Sequence, residues 1–133
     1  MIAPQAPHPA GAYSQGIEAV GLVFVAGQAG IDPTTGSVAG DSIETQTAQA
    51  LRNVEAVLNV AGLTLADLVK TTVYLADMAL FDRYDAVYRD IVPEPRPSRA
   101  TVGAQLAGIL VEIDAVAVRP EARLSDASDQ ASA

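Results

Sequence analysis

The chain has no cysteine and no tryptophan, a single histidine (His8), a single lysine (Lys70) and two phenylalanines. Without cysteine there are no disulfides, no thiolate metal sites and no thiol nucleophile. His8 stands alone in a proline-rich N-terminus, which argues against a histidine-built metal site or a Ser-His-Asp triad. Eight Lys plus Arg face 16 Asp plus Glu, a formal charge of −8, with no basic run. Nucleic-acid backbones are bound by clustered cations that displace counterions, so nucleic acid is a disfavoured partner. No apolar stretch approaches the ~20 residues of a membrane helix. The N-terminus has no basic leader ahead of an apolar core. The expectation is a soluble, cytoplasmic protein.

What the chain does have is apolar content. Of 133 residues, 50% are hydrophobic and only 18% are charged, enough for one folded domain without a disulfide or metal staple. The first twelve residues, with Pro4, Pro7, Pro9 and Gly11, read as an arm. Tyr13–Glu18 and Leu22–Ala26 read as short strands around Gly21, followed by a loop, Gly27–Val38, rich in turn chemistry. Asp41 and Glu44 fit an N-cap and its capping-box partner. From there Ile43, Thr47, Ala50, Leu51, Val54, Val57, Leu58 and Ala61 recur at helical spacing, and Gly62 supplies the stop. The opposite face, with Glu44, Gln49, Arg52, Asn53 and Glu55, reads as solvated. Leu63–Leu68 fits one short helical turn, Val69–Leu75 a strand and Leu80–Ile91 a second helix. Pro93–Arg99 is a stiff loop. Ala100–Leu106 and Leu110–Val118 complete the strands.

The order β-β-α-β-α-β-β predicts an α+β fold in which two helices cover a sheet. On Leu110–Val118 one face shows Val111, Ile113, Ala115 and Ala117. The other mixes Glu112 and Asp114 with Leu110, Val116 and Val118. Leu22–Ala26 is apolar on both faces. Two helices cover one side only, so the other predicts an apolar patch that further copies of the chain would cover.

Few residues are equipped for chemistry. Arg99 leaves a rigid loop and opens a predicted strand, a setting suited to holding a carboxylate by two parallel hydrogen bonds. The competing reading is a surface arginine paired with a neighbouring acid. Glu112 and Asp114 share one strand face about 6.8 Å apart at ~3.4 Å per residue, and are candidates for acid/base work. The competing reading is an ordinary edge strand with solvated acids. A glycosidase pair is disfavoured, because a sugar cleft normally brings aromatic platforms. Tyr13 could line a pocket or simply pack. "GQAG" could offer backbone N–H groups to an anion, but it is neither a P-loop nor a dinucleotide fingerprint.

Four blocks together resemble the RidA family of reactive-intermediate deaminases, also called L-PSP-type endoribonucleases. They are "GAYSQGI" (Gly11–Ile17), "GQAGIDPTTGSV" (Gly27–Val38), "ADLVKTTVYLADM" (Ala66–Met78) and "RPSRATVG…VEIDAVAV" (Arg96–Val118). The resemblance spans about Ala6–Arg119. It implies a RidA-like domain over residues 1–119, its first 12 residues an arm, with 120–133 a flexible acidic tail. It further implies a chorismate-mutase-like mixed sheet with two helices on one face, and a homotrimer with sites between subunits. The implied reaction is hydrolysis of 2-imino acids or their enamine tautomers to 2-keto acids and ammonia, with no cofactor and no metal. By position, Arg99 matches the arginine that grips the substrate carboxylate and Glu112 the acid that positions a water. Tyr13, Gly27 and Thr101 match pocket residues. Two positions depart from many deaminating members: Ala26 stands where they have Ser, and Asp85 where they have Asn. Asp85 could repel a carboxylate substrate if it faces the site. The alternatives are a non-catalytic trimer that binds a small carboxylate and, less favoured by the charge, an endoribonuclease.

Overall fold

In the computed structural model, which describes residues 1–123, the element order is the one expected. The strands are β1 (Gly16–Ala19), β2 (Leu22–Ala29), β3 (Leu68–Leu75), β4 (Ser98–Gly103) and β5 (Val111–Val118); the helices are α1 (Ile43–Val60) and α2 (Phe81–Ile91). They form one mixed sheet of order β1-β2-β5-β3-β4, in which only β3 and β4 run parallel. That parallel pair is joined through α2, as a parallel connection requires. The expected tail beyond Pro120 begins with a single 3₁₀ turn, Pro120–Ala122, and its remainder, 124–133, lies outside the described residues.

Val111, Ile113, Ala115 and Ala117 of β5 are buried in one cluster with Val23 and Val25 of β2 and Val73 and Leu75 of β3. Ala50, Leu51, Val54, Val57 and Leu58 of α1 and Tyr84 and Tyr88 of α2 join the same cluster from the helix side. The other face of the sheet is uncovered. There the strand register sets Ile17 beside Phe24 and Phe24 beside Val116, while Val102 lies beside Tyr74. Ile17, Phe24 and Val102 remain 51%, 43% and 43% exposed, the apolar face predicted from the burial pattern.

Several local expectations are corrected. The α1 cap is Ser42, not Asp41: the Thr45 N–H donates to its Oγ at 3.1 Å. Glu44 turns outward to a two-point ion pair with Arg83 of α2, which holds its carboxyl down to about 2. Gly62 does end α1, in the left-handed region at φ 75°, with Leu63 N–H donating to Leu58 O and Gly62 N–H to Asn59 O. Asn53 is not solvated. It is buried and donates to the carbonyls of Ala29 and Ile31 at 3.0 and 2.8 Å, tying α1 to the end of β2. β4 starts at Ser98, where pairing with Lys70 begins, and stops at Gly103 opposite Leu75, not at Leu106.

β1 is shorter than expected because Gln15 serves the arm. Its Nε2 donates to the carbonyls of Ala3 and Pro7 at 3.0 and 2.8 Å, and its Oε1 accepts from the Ala3 N–H at 2.7 Å. Ala3 and Ala6 are buried against the core. The arm is therefore irregular but docked. Gln15→Ala strands these buried backbone groups, and we expect a loss of about 1–3 kcal/mol in urea unfolding. Proteolysis within residues 1–12 should accelerate in parallel; an unchanged midpoint and cleavage rate would refute the clamp.

Candidate functional site

Most of the candidate residues fall into two clefts on opposite faces of the sheet. The first begins with an irregularity in β2. Val25 pairs with Ala115 and Gln28 with Ile113, so Ala26 and Gly27 together stand against the single residue Asp114. Such a bulge kinks a strand and re-aims its neighbours. Here it brings the backbone of Gly27 under Glu112. A Cβ at Gly27 would lie 2.8 Å from Glu112 Oε2 and 2.9 Å from its Cδ, so only glycine leaves room for this carboxyl. Around them opens a cleft of about 460 Å³, walled by Tyr13, Gly27, Gln28, Ile109, Glu112 and the arm residues Pro7 and His8. Tyr13 is half exposed, and its hydroxyl accepts the Ala10 N–H at 3.0 Å, which fixes the arm as the cleft's rim. Ala26 does not border this cleft. Its N–H donates to Gln15 O and its carbonyl accepts from Gln28 Nε2.

Glu112 and Asp114 share the uncovered face, as their spacing predicts, but their neighbours differ. Glu112 is opposite Tyr74 on β3, whose hydroxyl donates to Asp114 Oδ2 at 3.0 Å. That bond, with the negative charge of Asp114, pushes the Tyr74 pKa up. Asp114 is thereby engaged within the sheet, and Glu112 is the acid presented to the cleft.

Arg99 belongs to the other face. It pairs with Thr71, a buried residue on the helix side. Its guanidinium carbon stands 4.7 Å from the Tyr88 ring centroid, 5.3 Å from Tyr84 and 5.6 Å from Phe81. Cations over aromatic faces are worth about 0.5–1 kcal/mol at exposed sites and more when desolvated. Arg99 Nη1 donates to Asp85 Oδ1 at 2.7 Å, with both side chains little more than a fifth exposed. The tyrosines are fixed in turn: Tyr88 shares a 2.8 Å hydrogen bond with Thr71, and Tyr84 shares one with Thr101. Burial pushes both tyrosine hydroxyls up in pKa. Thr101 thus spends its hydroxyl on positioning an aromatic ring under Arg99. This second cleft, about 360 Å³, is lined by Asp85, Tyr88, Arg89, Arg96, Pro97 and Arg99.

Within one chain, then, Tyr13, Gly27 and Glu112 come together, and Arg99, Asp85 and Thr101 come together, with β3 between the two groups. The profile of the Endoribonuclease L-PSP family matches residues 3–119. The chain belongs to this family, that of the RidA proteins. It is 42% identical over 116 residues to a RutC family protein of Pyrococcus horikoshii, covering 86% of this chain and 92% of that one. It is 39% identical to Reactive Intermediate Deaminase A, chloroplastic, of Arabidopsis thaliana, over 85% of this chain and 62% of the longer plant protein. Among solved structures, E. coli TdcF with bound serine superposes with a TM-score of 0.82 at 32% identity, covering 87% of this chain and 94% of that one.

Asp85, the departure from the RidA pattern, lines the Arg99 cleft, its two oxygens held by Arg99 at 2.7 Å and by Arg89 at 3.0 Å. Its charge is compensated inside the chain. Gln15, His8 and the pair Arg89 and Arg96 were not singled out from the sequence. The signal for the arginines was present: three of the eight basic residues fall between Arg89 and Arg99. Gly27→Ala should force the Glu112 carboxyl out of its seat while the fold persists. A structure of the variant, or loss of ligand protection of a cross-linkable Glu112, checks this; an unmoved Glu112 would refute it.

Proposed function

We propose that the protein hydrolyses small 2-imino acids, or their enamine tautomers, to 2-keto acids and ammonia, at sites shared between the subunits of a homotrimer. The observation that carries this reading is the seating of Glu112 on Gly27 in a cleft rimmed by Tyr13, with a preorganised Arg99 on the opposite face. Neither half suffices alone: one has an acid without a carboxylate grip, the other a grip without a free acid. In this reading the copies assemble so that the β4 edge of one, carrying Arg99, lies against the Glu112 cleft of the next, each supplying the half the other lacks. The bound serine of TdcF supports a small carboxylate-bearing ligand.

In this mechanism Arg99 holds the substrate carboxylate through the N–H groups that Asp85 leaves free, so the imine carbon meets a positioned water. Glu112 takes a proton from the attacking water and delivers it to the imine nitrogen, giving a carbinolamine. The same carboxylate then relays the hydroxyl proton to nitrogen. The C–N bond breaks and ammonia leaves the 2-keto acid. The imine carbon is electrophilic from the start, and every proton is accounted for by water and Glu112.

The Asp85–Arg99 ion pair favours a second reading, a trimer that binds 2-keto acids without turning imines over. One experiment separates them. The protein is added to an amino-acid oxidase or dehydratase generating 2-iminobutanoate or 2-iminopropanoate, and keto-acid formation is followed. Wild type should accelerate it, and Arg99→Ala and Glu112→Gln should each lose about 10²-fold or more of that acceleration. Thermal stabilisation by 2-ketobutyrate with no acceleration would establish the binding reading. Sedimentation should give a trimer for wild type. Phe24→Asp, which puts a charge in the centre of the uncovered face, should yield smaller species; a monomeric wild type would remove the shared site.

A further inference from the structure

The chain's charge is unevenly placed. The molecule carries −8, yet the cleft beside Arg99 is lined by three guanidiniums, Arg89, Arg96 and Arg99, against the single carboxylate of Asp85. Even with Arg96 paired to the exposed Glu94, this is a concentration of guanidiniums in a strongly acidic protein. The three arginines come from different elements, α2, the proline-rich loop and β4, and all are held against α2. Arg99 is stacked on the α2 rings and bonded to Asp85. Arg89, one turn after Asp85 on α2, reaches the other oxygen of the same carboxylate at 3.0 Å. Arg96 leaves the proline-rich loop and donates to the Arg89 carbonyl at 3.2 Å, its remaining partner being the exposed Glu94.

Asp85 shows what this cleft accepts. A carboxylate already bridges Arg89 and Arg99, so both side chains reach a common anion, and Arg96 is added beside them. One arginine is enough for a monocarboxylate. We infer that the cleft recognises ligands with two acidic groups: Arg99 takes the carboxylate next to the reacting carbon, and Arg89 with Arg96 takes a second carboxylate at the far end of the side chain. The ligand class is thus the 2-keto or 2-imino dicarboxylic acids, the products of reactions that oxidise the α-amino group of acidic amino acids. This rests on the proposed carboxylate role of Arg99 and adds a side-chain preference to it. Asp85 acts as the positioning residue that keeps Arg89 and Arg99 together.

The test compares 2-ketobutyrate with 2-ketoglutarate as ligands of the full chain, by calorimetry at fixed salt, beside the deaminase assay. Wild type should bind 2-ketoglutarate about tenfold more tightly, the scale of one added charge-assisted contact. The double variant Arg89→Gln, Arg96→Gln should lose that advantage and bind 2-ketobutyrate as wild type does. Arg89→Lys, Arg96→Lys keeps the charge at both exposed positions and should keep most of the preference. Equal affinity of wild type for the two acids overturns the inference, as does a parallel loss of both ligands in the glutamine variant. Deamination with no dicarboxylate preference overturns this inference alone. A preference without deamination supports it and overturns the proposed activity.

Discussion

Two helices lie on one side of a five-stranded sheet, and that one-sidedness governs where every reactive group ends up. Side chains alternate across a strand, so the register decides whether a residue meets the helices or the open face. Arg99, beside buried Thr71, joins the helix side. Glu112, beside Tyr74, joins the open side. The exposed Ile17, Phe24 and Val102 leave an apolar surface on the open side, the surface on which the proposed function has copies of the chain meet.

The two half-sites are stiffened in different ways. Glu112 is positioned by an absence, the missing Cβ of Gly27, and by a bulge that lets the β2 backbone come close. Arg99 is positioned by presence: three aromatic rings, each fixed by its own packing or hydrogen bond, and the Asp85 carboxylate. A long charged side chain that is already ordered loses little rotamer freedom when a ligand arrives, which favours binding. Asp85 has a cost, since a ligand carboxylate shares its arginine with an internal one. The other Asp85 oxygen lies 3.0 Å from Arg89.

Much of this was legible in the sequence, and the reasons are physical. The periodicity of α1 and the alternation on Leu110–Val118 report burial directly, so the element order, the core face and the unpaired apolar face could all be derived from them. Arg99 and Glu112 were marked by their setting. The opposite faces on which they lie were not, because strand register depends on where pairing starts, and the start of β4 at Ser98 is set by its contact with Lys70. Asn53 and Gln15 were misjudged for a related reason. Their amides read as polar surface or strand until the distant carbonyls they satisfy are in place. Ser42 displaced Asp41 as the α1 cap by a single residue, a difference that composition does not resolve.

The electrostatics follow the same division. Most acids are spread over the surface or, like Glu18 and Glu44, held in two-point pairs with Arg119 and Arg83. Those pairs consume basic side chains at the periphery. Of the arginines that remain, Arg89, Arg96 and Arg99 converge on one cleft, while among the described residues no Lys or Arg borders the Glu112 cleft. On an acidic surface such a concentration of positive charge favours anion binding there. The Glu112 carboxyl and the clustered guanidiniums therefore sit in separate clefts. In the proposed trimer, an anionic ligand is drawn first to the arginines and meets the acid of a neighbouring copy.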